Sequence, residues 1–441
     1  MLFKVKNLGV IAEAEVDLSK DLILLTGQNN TGKTYLAYAI YFLMTKNMNI
    51  DYIGDNFIGF VNELPKINLH NWLNTTKNYY ARDATYWITF YSSSKILLKD
   101  TRISVSFSEK DLEMAKSKEL PYGVENVDTY FYKPENSFEL EYNGAAFGYP
   151  DIKTKAEHFI KANFFNFCES LLLRNNRCFI FTSERSAINI FSKELTLLGN
   201  KILRSKDKNL INFATERINR YPQPIKDSLD IAENLKDLTK KTSDFAYLAV
   251  ELETSILKGN IVVGEFDDLQ YKPNGVENNL EIHLTSSLVK SLSPIAFYLR
   301  HLAQKNDCII IDEPELNLHP DNQILVARFL GRLVNEGFKV VVSTHSDYIV
   351  KEINNLVMLS TESEARNELL IKYGYSEKET IKPEQVEALL FRLPKNGVMV
   401  TPEKIAITPT GLSIKTIDEV IDKLDTMTEN IYYKLFENST N

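Results

Sequence analysis

The chain has 441 residues, 44% hydrophobic and 25% charged, with a formal net charge of −8. That balance excludes a disordered or fibrous protein and leaves room for two or three domains with sizeable cores. The acidic sum argues against a protein that coats nucleic acid uniformly and leaves a local basic surface open. No apolar run approaches the roughly 18 residues of a membrane span, and the start, Met1-Leu-Phe-Lys-Val-Lys, has no signal-peptide h-region, so no membrane is expected and a cytoplasmic location is. Cys168, Cys178 and Cys308 are scattered, without CxxC spacing, and are read as core thiols.

Taken in order, Leu2 to Val5 and Glu13 to Leu18 read as two strands joined by a turn around Asn7-Leu-Gly. Leu22 to Leu25 is a buried strand and Tyr35 to Met44 has helical spacing. Between them Gly27-Gln-Asn-Asn-Thr-Gly-Lys33-Thr34 fits G-x-x-x-x-G-K-[ST] without a mismatch. Glycines let the backbone of Gly27, Asn29, Asn30, Thr31 and Gly32 wrap close to a polyphosphate, while Lys33 neutralises charge and Thr34 can ligate magnesium. This stretch is read as a nucleoside triphosphate site.

Residues 46 to 110 alternate in Thr85 to Tyr91 and Ile103 to Phe107, as an antiparallel sheet would; their dense aromatics are better explained by sheet packing than by base stacking. Glu157 to Arg174 reads as an amphipathic helix, followed by a strand, Cys178 to Thr182. Arg185, just beyond that strand, either faces a ligand crevice or makes a salt bridge at a helix N-cap. Residues 187 to 258 read as a helical arm broken at Tyr221-Pro-Gln-Pro224. Lys201 to Lys241 carries Lys201, Arg204, Lys206, Lys208, Arg217, Arg220, Lys226, Lys236, Lys240 and Lys241 against six acidic residues. Such an arm could follow a DNA or RNA backbone, although a solvated face is the commoner meaning of mixed charge.

Gly259 to Glu265 and Asn279 to Thr285 read as a hairpin turning at Lys272-Pro-Asn-Gly-Val. The hydroxyl-rich run Thr285 to Ser293 then opens a helix from Pro294 to Gln304, its serines either capping that helix or binding an anion, which in a nucleotide-driven dimer can belong to the partner's nucleotide. Cys308 to Asp312 is a branched apolar strand ending in Asp312 and Glu313. Beside a phosphate loop, Asp312 would hold magnesium and Glu313 would orient or deprotonate the attacking water. After a helix, Asp321 to Glu336, the strand Phe338 to Ser346 places His345 where it can sense the γ-phosphate. The tail shows strands near Gly397-Val-Met-Val and Lys404-Ile-Ala-Ile and a helix, Ile417 to Leu435.

GQNNTGKT at Gly27 to Thr34, SSLVKSLS at Ser286 to Ser293, IIIDEPELNLHP at Ile309 to Pro320 and STHSDY at Ser343 to Tyr348 together resemble the ATPase head of the ABC superfamily in its SMC, RecF and OLD-like branch. The resemblance implies an α/β P-loop fold of ABC-ATPase type, with a mostly parallel core sheet, an antiparallel β subdomain and a helical insertion. It implies ATP and Mg2+ as ligands, Lys33, Glu313 and His345 as catalytic residues, and Thr34 and Asp312 as the magnesium residues. Ser286 or Ser287 would stand for the signature serine, acting in trans, although the glycines of the usual signature are missing. Asn317 and His319 would meet the other subunit. The implied organisation is a head split into residues 1–45 and 259–360, with 46–177 a mixed insertion, 178–258 a strand plus helical arm, and 361–441 an α/β tail. A head without a nuclease of its own is similar to the ATPase subunits of bacterial anti-phage systems of the PARIS and Septu types. That implies a homo-oligomeric switch controlling a separate effector protein, with a DNA-repair ATPase of RecF or SMC type as the alternative.

Overall fold

The computed structural model describes residues 2–45, 67–68, 102–106, 137–138, 177–204, 221–394, 397, 399–412 and 426–434. The expected strand at Thr85 to Tyr91, the helix Glu157 to Arg174 and Cys168 lie outside them, as does residue 417 where the tail helix was expected to begin; residues 426–434 are helical.

Leu2–Leu8 (β1) and Ile11–Asp17 (β2) pair antiparallel, and Arg102–Ser106 (β4) joins the other side of β1. Alternation decides the faces: Phe3 and Val5 are buried, while Lys4 and Lys6 pair with Glu13 across the exposed face. Leu22–Gly27 (β3) follows β2 and leads through the phosphate loop into Lys33–Thr45 (α1).

The main sheet holds β3 and four later strands in parallel: Cys178–Phe181 (β5), Cys308–Asp312 (β9), Lys339–Thr344 (β10) and Val386–Phe391 (β11). Glu403–Lys404 (β12) closes one edge antiparallel, giving the order β12-β11-β3-β10-β9-β5. The apolar residues of β3, β9 and β10 are buried on both faces, as a parallel sheet covered by helices requires. Each fully buried Leu, Ile or Val contributes about 1.5–3 kcal/mol of hydrophobic free energy. Leu22, Leu24, Ile309, Ile311, Val340 and Val342 share one core with Ala246–Leu252 (α4), Ser287–His301 (α5), Pro320–Asn335 (α6) and Asp347–Met358 (α7). Residues of the opposite parity look toward α1, which packs along β10, β9 and β5. Cys178 and Cys308 are buried thiols on paired strands.

Three expectations need correction. The hairpin at 259–285 is a three-stranded meander: Gly259–Val263 (β6) pairs with Leu269–Pro273 (β7), which pairs with Leu280–Glu281 (β8), and Ile282–Leu284 is a 3-10 turn. The turn falls at Asp267, whose φ is 63°, so Leu269 to Lys272 is strand and not loop. Helix α5 begins at Ser287 and ends at His301, with Pro294 inside it. The carbonyl of Lys290, which a residue without N–H cannot bond, accepts from Ser293 Oγ and Asn189 Nδ2 instead. Finally, β11 was not anticipated, and it supplies the neighbour of the phosphate-loop strand. Of the expected helical arm, Arg185–Arg204 (α2) is helical, residues 205–220 lie outside the described ones, and Gln223–Glu233 (α3) starts at the Pro-rich break with Pro224 in its first turn; residues 239–245 interrupt the arm a second time.

A phosphate-loop cleft at the carboxyl ends of the sheet

Register brings the chemistry together. In the β9–β10 pair Asp312 lies opposite Ser343, and in the β10–β3 pair Thr344 lies opposite Thr26, so the loop after β3 and the acids after β9 open on one end of the sheet. The loop has the conformation its glycines permit: φ is 128° at Gly27, 61° at Asn30 and 97° at Gly32. A Cβ on Gly27 would sit 2.0 Å from the Phe391 carbonyl oxygen, so this glycine also lets β3 lie against β11. Gln28 completes the seam, its N–H donating to Phe391 O at 3.0 Å and its Oε1 accepting from Leu393 N–H at 2.9 Å. Thr31 Oγ1 donates to Gln28 O at 2.7 Å and closes the turn.

Gly27, Asn29, Asn30, Thr31, Gly32, Lys33 and Thr34 thus fall on one loop, and all but Gly27 line a cleft of about 540 Å³ that Glu313 also borders. Lys33 Nζ donates to Gly27 O at 2.9 Å and Gln28 O at 2.7 Å. Burial pulls its pKa down, against the opposing charges of Glu313, Glu315 and Asp312. Thr34 Oγ1 is 3.2 Å from both carboxylate oxygens of Asp312. Ser343 Oγ donates to Asp312 Oδ1 from the paired strand. Burial pushes the Asp312 carboxyl up to about 6, the two hydroxyls opposing. A hydroxyl facing a carboxylate at the mouth of a phosphate loop is an all-oxygen donor set, which suits magnesium held jointly with substrate phosphates.

Glu313 has φ 49°, unusual for a residue with a side chain, and its N–H donates to Ser343 O at 2.9 Å. His345 Nδ1 is 3.6 Å from Glu313 Oε1 and 3.3 Å from Glu315 Oε1, and the His345 N–H donates to the same Glu315 oxygen at 2.8 Å. Glu315 is 6% exposed, and its Oε2 has no hydrogen-bond partner among the described residues. Sequence reasoning assigned no part to Glu315 or Ser343. A signal for Ser343 was available, since aligning the branched apolar runs Ile309 to Ile311 and Val340 to Val342 sets it opposite Asp312; Glu315 is placed by a tight turn that the sequence does not announce.

Ser286 and Ser287 stand apart from this cleft. Both are exposed, and Ser286 is the N-cap of α5, its Oγ accepting from Val289 N–H at 3.4 Å. Asn317 and His319 are exposed on the loop before α6, where the His319 ring caps the helix. Arg185 makes no ion pair among the described residues: its guanidinium is buried and bonds backbone carbonyls and Ser291, and the residue borders a small cavity of about 50 Å³ that shares no lining residue with the phosphate loop's cleft.

A glycine loop between a parallel strand and a helix, with an acid pair at the end of a neighbouring strand, defines the class: an α/β protein of the P-loop nucleotide-binding kind. The chain belongs to the AAA ATPase domain family, which matches residues 1–350. No curated protein matches it. Two solved structures are similar in fold at low identity. One is an SMC head bound to the C-winged helix domain of ScpA, 10% identical with a TM-score of 0.38, covering 92% of this chain and 98% of that one. The other is the SMC head domain with an extended coiled coil bound to the C-terminal domain of ScpA, derived from Pyrococcus furiosus, 11% identical with a TM-score of 0.33, covering 97% and 98%. Among the described residues no helix is long and apolar enough to cross a membrane.

Proposed function

We propose that this member of the ATPase family is a magnesium-dependent ATP hydrolase working as a two-state switch, in which ATP is held between two copies of the chain. The observation that carries the reading is the contact of Thr34 Oγ1 with both oxygens of Asp312 at 3.2 Å, directly under the loop that ends in Lys33. The loop N–H groups and Lys33 would bind the β- and γ-phosphates, and Thr34 and Asp312 would hold the cation. Magnesium, when bound there, would neutralise charge on the phosphate oxygens. Glu313 would orient the attacking water and draw its proton, and His345, held through its backbone by Glu315, would meet the γ-phosphate. Ser286 and Ser287, at the exposed start of α5, would complete the partner's site through the helix N-terminus.

At its finest the reading is a sensor subunit that controls a separate effector in an anti-phage system, and that part is supported by the motif resemblance alone. For the DNA-binding alternative, Lys206, Lys208, Arg217 and Arg220 of the basic arm lie outside the described residues; within them Lys236 Nζ donates to Glu265 O and Lys240 pairs with Asp237 at 2.7 Å. The deciding experiment is the mass in solution of Glu313→Gln protein with and without ATP and magnesium, beside its ATP turnover and a Lys33→Ala control. ATP-driven assembly in Glu313→Gln, absent in Lys33→Ala, is the expected result. A mass that ignores both nucleotide and Lys33 would overturn the switch, and turnover unchanged in Glu313→Gln would overturn the catalytic assignment.

A further inference from the structure

Arg185 is 3% exposed, and all five of its N–H groups have acceptors. Nε donates to Ser291 Oγ at 3.0 Å and to Ser291 O at 3.1 Å. Nη1 donates to Thr182 O at 3.0 Å and Asp312 O at 2.7 Å, and Nη2 to Ser291 Oγ at 2.7 Å and Glu313 O at 2.8 Å. These acceptors sit on three elements: the end of β5, the acid pair after β9, and α5 one turn beyond Ser287. A planar guanidinium that bonds all three fixes their separations, which the single ammonium of a lysine cannot do.

Glu313 is where that fixation matters. Its left-handed backbone, φ 49°, is held at the N–H by Ser343 O and at the carbonyl by Arg185 Nη2 and Leu316 N–H. Such a conformation persists where surrounding bonds over-determine it, and it sets the direction of the Glu313 side chain. On the other side, Ser291 ties the same guanidinium to the helix whose first residues are the exposed serines.

We infer that Arg185 is a positioning residue that couples the start of α5 to the Glu313 carboxylate, so that contact of α5 with the partner's nucleotide is relayed through Ser291 and the guanidinium to the group that activates water. The inference deepens the ATP-switch reading and rests on it. In a helix that moves as a rigid body, displacement at Ser287 reaches Ser291 undiminished, and from there the path to the Glu313 carbonyl is two hydrogen bonds long.

The experiment compares full-length Arg185→Lys, Ser291→Ala, the double variant and Glu313→Gln, reading kcat, KM and the binding of a fluorescent ATP analogue with magnesium. If Arg185 couples the two, Arg185→Lys lowers kcat by about 10- to 100-fold while analogue binding stays within about threefold. Ser291→Ala, which leaves the Glu313 contact in place, lowers kcat by a smaller factor, and the double variant is no worse than Arg185→Lys, since both lie on one path. A kcat within twofold of the parent for both single variants overturns the inference while leaving Glu313 in its role. Should Arg185→Lys fail to fold, Ser291→Ala decides: a folded variant with unchanged kcat overturns the coupling. Full turnover in Glu313→Gln removes the catalytic assignment of Glu313, and the coupling with it.

Discussion

Asp312 shows how the site trades stability for chemistry. Its carboxyl ionises near 3.8 in an ordinary setting and at about 6 in the folded chain, because burial disfavours the charge more than Ser343 and Thr34 favour it. Between those values the folded state keeps a proton that the unfolded chain has lost, so the contribution of this group to stability is greatest below pH 3.8 and falls as pH rises to about 6. Above that window the uncompensated charge costs on the order of 3 kcal/mol in the absence of metal, taking roughly 1.36 kcal/mol per unit. Asp312→Asn is therefore expected to be more stable than the parent at pH 7.5 in EDTA, by about 1–3 kcal/mol, with the gap closing at pH 4.5; urea unfolding at the two pH values checks both statements. A variant less stable than the parent at pH 7.5 would mean that the carboxylate is satisfied without metal. Gly27 is the second residue whose role is geometric. With φ at 128° and Phe391 O 2.0 Å from where a Cβ would stand, Gly27→Ala should cost at least about 3 kcal/mol, seen as a fall in denaturant midpoint.

At the scale of elements, one buried carboxylate ties the meander to α5. Glu253 is 0% exposed, accepts the Ile261 N–H of β6 at 2.9 Å through Oε1, and pairs through Oε2 with Arg300 in the last turn of α5. Removing one partner of a buried pair strands the other, so Glu253→Ala should lower stability by about 3–5 kcal/mol, whereas Glu253→Gln, which keeps an acceptor for Ile261, should cost clearly less. Thermal unfolding of the two variants side by side tests the difference. Such ties explain which elements were legible beforehand. β3, β9 and β10 announce themselves as unbroken branched runs, and the loop and acid pair follow from position alone. β11, Val386-Glu-Ala-Leu-Leu-Phe, carries Glu, Ala and Leu, whose local preference is helical; only its ladder with β3 makes it a strand. The start of α5 was hidden because Pro294 looks like a helix beginning, when in fact Asn189 from α2 and Ser293 cover the carbonyl it orphans. Arg185 could be placed at a strand end, yet its three sets of acceptors come from residues 182, 291 and 312–313, which no local pattern connects.

Across the whole molecule, residues far apart in sequence meet beside the phosphate loop: β3 lies between β10 and β11, and Gln28 bonds both Phe391 and Leu393. The phosphate loop is thereby seamed to the tail. The exposed serines of α5 do not line the cleft that holds the phosphate loop and Glu313, so among the described residues of one chain Ser286 and Ser287 stand outside it. If that helix acts across a twofold dimer, each composite site takes its loop from one chain and its serines from the other. Lys33→Ala then destroys the loop half and keeps the serines, while Ser287→Arg does the reverse, and each variant alone should be inactive. Mixed in equal amounts with free exchange, half the dimers are heterodimers, and each carries one intact site of two, so turnover should recover to about a quarter of the parent rate per chain. The measurement is steady-state ATP turnover across mixing ratios at fixed total protein, with a maximum expected at equal amounts. Recovery can arise only where residues of two chains meet, because neither chain regains what it lost. Turnover that stays at the level of the separate variants at every ratio, while the masses show heterodimers forming, would place the serines of α5 outside the site.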